Sequence, residues 1–316
     1  MTEGGYGGPG AAGISDGQRR EPVFILAPAR SYTTVTTAML GGHPGIYAFP
    51  ELVLFDVPTV GELLDEQRRR PEMRPGYIRT HLSGLHRAVA QVHEDSQGEE
   101  AVGRAGLWLA RHAEWSTTRL MDHLLELVSP LIGVEKSPDT VRTYQSLQMC
   151  LAAYPGARYL HLTRHPVDTQ RSMQRHWRCT RRRPFSESEL ITVAASTWYQ
   201  SHARIVTALA GLPGDRWMRV RAEDILREPR PWLSAILRWL GLPDDEQIIT
   251  GMLATERWRF AGTGPSGRLY GGDANFMTSP LLRPVPAPGP VSFDPSWHLP
   301  EEECQRMTRL ASHLGY

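Results

Sequence analysis

Arg30, Ser31, Thr33 and Thr34 place a guanidinium and three hydroxyls within one short turn of chain. They follow Val23-Phe-Ile-Leu26, a continuous apolar run of the kind that forms a strand covered on both faces, and Pro28 ends that run. The residues after the loop read as a helix to about residue 41. Backbone N–H groups at a helix N-terminus have no partner within the helix, and the macrodipole makes that end attractive to anions. One Ser or Thr is enough for an ordinary N-cap. A cation with three hydroxyls is equipment for a phosphate or sulfate group. The loop is not a Walker A motif, which needs glycines to wrap the phosphates and a Gly-Lys-Ser/Thr end. Between Pro22 and Met39 there is no glycine and no lysine.

The loop resembles the phosphosulfate-binding loop of sulfotransferases that use 3′-phosphoadenosine 5′-phosphosulfate. Many members carry P-[KR]-S-G-T-T, and this chain has Ala29-Arg30-Ser31-Tyr32-Thr33-Thr34. Tyr32 is the departure. Tyrosine tolerates a positive φ poorly, so either the loop differs locally or the ring has a local job. The resemblance continues along Tyr159-Leu-His-Leu-Thr-Arg164-His-Pro-Val-Asp168-Thr-Gln-Arg-Ser172, a second buried strand running into a helix. Pro166 suits the first helical position and Asp168 the first turn. In the family an Arg at this strand end and a Ser eight residues on hold the nucleotide 3′-phosphate, a role the resemblance gives to Arg164 and Ser172. A guanidinium and a hydroxyl suit a near-dianion.

Three further matches imply the chemistry. Leu131-Ile-Gly-Val-Glu-Lys136-Ser-Pro138 reads as a short strand ending in lysine, and Lys136 matches a family lysine that contacts the sulfuryl bridge. In tyrosylprotein sulfotransferases a glutamate twenty-one residues after the loop arginine is the general base; here that residue is Glu51, in Phe49-Pro50-Glu51. Other sulfotransferases use a histidine between the two phosphate motifs, which makes His112 the alternative base. The Gly/Pro-rich stretch 261–298 reads as a long ordered loop, a common form for a functional lid. In the family a C-terminal loop closes over the nucleotide, with Arg268 the cation placed to help. The Val220-Arg-Ala-Glu-Asp-Ile225 strand end and the helix after Pro229, stopped by Gly241 and Pro243, match more weakly.

The resemblance implies an α/β scaffold, a P-loop-like parallel sheet flanked by helices, in which 52–130 reads as a helical insertion that in the family shapes the acceptor side. A chain of 316 residues is long enough for one large α/β domain spanning 21–316, behind a Gly-rich, polar segment 1–20 expected to be a disordered tail. The net charge of +1 implies neither nucleic acid nor an anionic membrane as partner. The three cysteines are too few and too scattered for a disulfide framework or a zinc site, which points to a reducing, cytoplasmic compartment. No apolar run approaches a membrane span. No compact His/Cys/Asp cluster has ligand spacing, so no metal is expected. The implied activity is transfer of a sulfuryl group from 3′-phosphoadenosine 5′-phosphosulfate to a hydroxyl. The acceptor is a small molecule, of the secondary-metabolite kind, either free or bound to a carrier protein. Three alternatives stay open: sulfation of a β-hydroxyacyl chain on a carrier protein as a prelude to elimination, a P-loop kinase, and a non-catalytic nucleotide-binding protein.

Overall fold

The computed structural model describes residues 21–68, 81–180, 185–264, 267 and 270–316. Arg268 and the 1–20 segment lie outside the described residues.

The central sheet has five parallel strands: β1 (Val23–Leu26), β2 (Ile46–Ala48), β3 (Ile132–Glu135), β4 (Arg158–Thr163) and β5 (Trp217–Arg221), in the order β2-β3-β1-β4-β5. β1 pairs with β3 through Phe24 and Glu135, and with β4 through Leu26 and His161. Every residue of β1 is buried, as its unbroken apolar run requires of a strand covered on both faces. β2 is three residues long and runs directly into Phe49-Pro50. No strand is read there from the sequence, because three residues carry too little pattern to register.

Helix α1 (Thr33–Leu40) follows β1 and is buried along its whole length. Between β2 and β3 come α2 (Val60–Arg68), α3 (Ser83–Glu94), α4 (Glu99–Arg111) and α5 (Thr117–Leu127), all within the stretch 52–130. Beyond β3 lie α6 (Tyr144–Ala153), α7 (Pro166–Thr180) and α8 (Glu187–Leu209). Pro166 opens α7, where its missing N–H costs nothing. A capping box of Ser186 and Glu189 starts α8. After β5 the chain forms α9 (Ala222–Arg227), α10 (Pro229–Leu240), α11 (Glu246–Leu253), α12 (Ala274–Thr278) and α13 (Glu301–His313). Gly241 ends α10 at φ 70°, a conformation that glycine adopts without strain. The C-terminal α13 packs Met307, Ala311 and Leu314 on Ala195 and Trp198 of α8.

The described residues of the stretch 261–298 are mostly irregular, interrupted by α12 and one turn of 3₁₀ helix at Pro295–Trp297. Its first part is tied to the insertion. Arg87 of α3 is buried, and it donates to the carbonyls of Phe260 (3.0 Å), Gly262 (3.0 Å) and Tyr270 (2.9 Å). Among the described residues no helix is long and apolar enough to cross a membrane. Cys150, Cys179 and Cys304 are all free thiols.

Candidate active site

The strand order reverses at β1: the chain adds β3 on one side of it and β4 on the other. In parallel α/β sheets the crevice at such a switch point, beyond the carboxyl ends of the strands, is where ligands bind. The β1 loop, Lys136 after β3 and Arg164 after β4 all emerge there.

The β1 loop is held in an unusual shape. Arg30 (φ 69°) and Tyr32 (φ 58°) both occupy the left-handed region, which costs a non-glycine residue about 1–2 kcal/mol. Tyr32 is the N-cap of α1 but offers no side-chain cap; its carbonyl instead accepts from the backbone N–H and the hydroxyl of Thr36. The twist turns the Arg30 carbonyl toward Arg164, whose Nη1 donates to it at 2.6 Å. The Arg164 guanidinium lies over the Tyr32 ring, with Cζ 4.0 Å from its centroid. Trp198 Nε1 donates to the Arg164 carbonyl at 3.0 Å and fixes the strand end from behind. Burial pushes the Arg164 guanidinium below the usual arginine range, opposed mainly by Tyr32 and Glu223.

Arg30 bridges two elements. Its Nε donates to Ser172 Oγ on α7 at 3.1 Å, and its Nη1 pairs with Asp273 Oδ2 at 2.9 Å. Asp273 is the N-cap of α12, and its backbone N–H donates to Thr34 Oγ1 at 3.0 Å. Thr34 Oγ1 also accepts from Lys136 Nζ at 3.1 Å, and Lys136 Nζ contacts Glu51 Oε1 at 2.5 Å. A continuous polar chain therefore runs from Ser172 through Arg30, Asp273, Thr34 and Lys136 to Glu51. The Lys136 side chain is 1% exposed, so its charge depends on this company; Glu51 is 24% exposed and reaches solvent.

The turn that carries Glu51 is tightly packed. Its N–H donates to Gly271 O at 2.9 Å. Gly84 opens α3 directly beneath it, where a Cβ would sit 2.1 Å from Glu51 O. Glu135, wholly buried, accepts from the Leu52 N–H and the Ser137 hydroxyl, and Ser137 Oγ accepts from Val53 N–H at 2.9 Å. Burial pushes the Glu135 carboxyl up to about 7, against the pull of those two donors.

Six expected residues thus meet in one crevice: Glu51, Lys136, Thr34, Arg30, Ser172 and Arg164. Ser31 and Thr33 are buried in the same loop. His112 stands at the end of α4 in a different cluster. Its Nδ1 lies 2.8 Å from Trp108 O, and its ring packs on Trp108 and Trp115, beside His93 and His123. Asp273, Gly84 and Gly271 belong to the site and carry no motif of their own.

An anionic nucleotide fits what this crevice leaves unmet. Ser31 Oγ and Arg164 Nε are buried without hydrogen-bond partners, and such groups call for a ligand or water. Both belong to the loop ends at which phosphates would dock. Among the described residues no group of three or more His, Cys, Asp or Glu side chains is placed to hold a metal ion.

A family model described as the sulfotransferase family matches residues 22–246. Among solved structures the chain is similar to the sulfotransferase domain of the Synechococcus PCC 7002 olefin synthase, at 25% identity and TM-score 0.70, over 96% of this chain and 97% of that one. It is also similar in fold to the sulfotransferase domain of the curacin biosynthetic pathway, at 22% identity and TM-score 0.72, over 95% and 99% of the two chains. No curated protein sequence matches it.

Proposed function

Because the chain belongs to the sulfotransferase family, we propose that this crevice binds 3′-phosphoadenosine 5′-phosphosulfate and passes its sulfuryl group to a hydroxyl. One observation carries the assignment of roles: Lys136 Nζ touches both Glu51 Oε1 at 2.5 Å and Thr34 Oγ1 at 3.1 Å. A buried ammonium thus joins the donor loop to a solvent-reaching carboxylate, the arrangement an in-line transfer needs. Glu51 takes the acceptor proton. The acceptor oxygen bonds to sulfur as the bond from sulfur to the bridging oxygen breaks. The electron pair stays on the 5′-phosphate, where Lys136 and Arg30 stabilise the growing charge. Ser31, Thr33, Thr34 and the N–H groups at the start of α1 cradle that phosphate. Fixed cations and the helix dipole supply the positive field, so transfer should survive EDTA.

Arg164 and Ser172 hold the 3′-phosphate in this reading. Arg164→Ala should weaken binding of 3′-phosphoadenosine 5′-phosphate by about 1.5–3 kcal/mol, the worth of a charge-assisted contact. It should weaken binding of adenosine 5′-phosphosulfate far less. Calorimetry with both ligands makes the test, and equal losses would remove Arg164 from the role. Calorimetry with ATP–Mg²⁺ probes the kinase alternative, which also needs a Gly-Lys-Ser/Thr loop that this chain does not have.

The acceptor in this proposal is a small-molecule hydroxyl. A second reading places that hydroxyl on a β-hydroxyacyl chain borne by a carrier protein, where sulfate becomes the leaving group of an elimination. The full-length likeness to a domain of an olefin synthase supports it. Incubation with the ³⁵S-labelled donor and 3-hydroxyacyl thioesters, beside a panel of free alcohols, separates the two. Label on the thioester alone favours the carrier-bound acceptor; label on free alcohols alone favours the first reading.

A further inference from the structure

Tyr32 occupies a position where its backbone is strained and a glycine would not be. At φ 58° a bulky side chain gains nothing from the backbone and must be held by its surroundings. Its ring is in contact with one cation in particular, the Arg164 guanidinium, 4.0 Å from the ring centroid. We propose that Tyr32 is the positioning residue for nucleotide selectivity: its ring is a shelf that fixes the tilt of Arg164 and so builds the 3′-phosphate subsite. The proposal rests on the reading of Arg164 given above.

Arg164 has three restraints and one unused edge. Its Nη1 is anchored on the Arg30 carbonyl at 2.6 Å, its own carbonyl is held by Trp198 Nε1 at 3.0 Å, and its Cζ lies over the Tyr32 ring. The Nε–H is buried and has no partner. A planar guanidinium anchored through Nη1 and packed against a ring is limited in the directions along which its remaining N–H groups can point. An anion arriving at that edge finds donors already aimed. Without the shelf the guanidinium can rotate about its side-chain bonds, and the anion must then order it on binding. The same strained backbone serves both contacts: φ 69° at Arg30 presents the carbonyl to Arg164, and φ 58° at Tyr32 presents the ring.

The test compares wild type, Tyr32→Phe, Tyr32→Gly, Tyr32→Leu and Arg164→Ala. The probes are 3′-phosphoadenosine 5′-phosphate and adenosine 5′-phosphate, titrated calorimetrically, and the readout is the ratio of their affinities. Tyr32→Phe keeps a ring and should keep the ratio. Tyr32→Gly and Tyr32→Leu should lower it by about three- to thirty-fold, the range of a cation–π contact from exposed to desolvated. Tyr32→Gly also removes the backbone strain, so its melting temperature should equal or exceed that of wild type while its selectivity falls. A merely structural role would move the two together. If Tyr32→Gly and Tyr32→Leu keep the wild-type ratio while Arg164→Ala loses it, Tyr32 has no positioning role and the Arg164 subsite survives. If Arg164→Ala itself keeps the ratio, the subsite reading fails and this proposal goes with it.

Discussion

Glu51 and Lys136 form one ion pair, yet their removal has different chemical consequences. Glu51→Gln keeps the shape of the side chain and removes the proposed proton acceptor. A positioned general base contributes about 10²–10⁴-fold, so kcat should fall by that order while donor binding persists. Lys136→Ala removes positive charge that matters most in the transition state, so it too should act on kcat. Acceptors of graded acidity tell the two apart. A more acidic hydroxyl needs less help from a base, so it should partly rescue Glu51→Gln and leave Lys136→Ala unrescued. His112→Ala is the control. If it loses turnover while Glu51→Gln keeps it, the base lies in the Trp108–Trp115 cluster and not at the Glu51 turn. The residues of this pair were legible because each closes a short motif after a recognisable run. Their direct contact was not, since Glu51 and Lys136 are 85 positions apart and only the pairing of β2 beside β3 brings together the strand ends that carry them.

The elements that hold the site are joined by contacts with no local signature. β1, β3 and β4 announce themselves as apolar runs because both their faces are covered. The insertion is legible through its helical periodicity, as in the Leu120, Met121, Leu124 and Leu125 face of α5. Gly84, Arg87 and Asp273 are silent in the sequence. Arg87 meets Tyr270 across 183 positions and Asp273 meets Thr34 across 239. Nothing near any of them marks the partner. Their structural weight can be measured. Gly84→Ala would drive a Cβ to 2.1 Å from the Glu51 carbonyl oxygen and 2.6 Å separates the Cβ position at Gly271 from Gly84 Cα, so neither backbone has room to yield. The substitution should cost about 1–3 kcal/mol by overpacking and should lower kcat more than it weakens donor binding, because the displaced turn carries Glu51, the proposed base. Denaturant unfolding and steady-state kinetics on the same variant check both halves. Arg87→Leu should act on the loop instead. It strips the donor from three carbonyls, and hydrogen exchange in 260–264 and 270–273 should quicken while that in β1 stays slow.

At the scale of the whole molecule, the core encloses charge-sensitive groups that the mechanism does not use. His161 of β4 and His202 of α8 are buried, their Nε2 and Nδ1 atoms 2.9 Å apart, with Trp198 packed on His202 and Arg219 Nε donating to His161 Nδ1 at 3.2 Å. Burial drives both below the usual histidine range, His202 to about 3, and the neighbouring Arg219 adds to the effect. The pair therefore stays neutral in the folded state as an unfolded histidine, with a pKa of about 6.5, begins to take up protons. The sign follows from proton counting. Below about pH 6.5 the unfolded chain binds more protons than the folded one, so stability must fall as pH falls. The contribution is complete above that range and is lost progressively down to about pH 3, where His202 itself protonates. An imidazole that stays neutral while its unfolded counterpart is protonated costs about 1.4 kcal/mol per pH unit. Glu135 opposes this over part of it. Its carboxyl is raised to about 7, so its contribution is complete at low pH and declines as pH rises from about 4.5 to 7. Because both act on the same curve, a pH profile of wild type alone would not separate them. The double variant His161→Leu/His202→Leu should flatten the acid limb of stability between pH 6 and pH 4, whatever its stability at pH 7, and Glu135→Gln should steepen it. Urea unfolding at half-unit pH intervals supplies the slopes. If the double histidine variant retains the wild-type slope, the imidazole pair is already protonated or solvated in the folded state, and the tight core between β4 and α8 is looser than these contacts require.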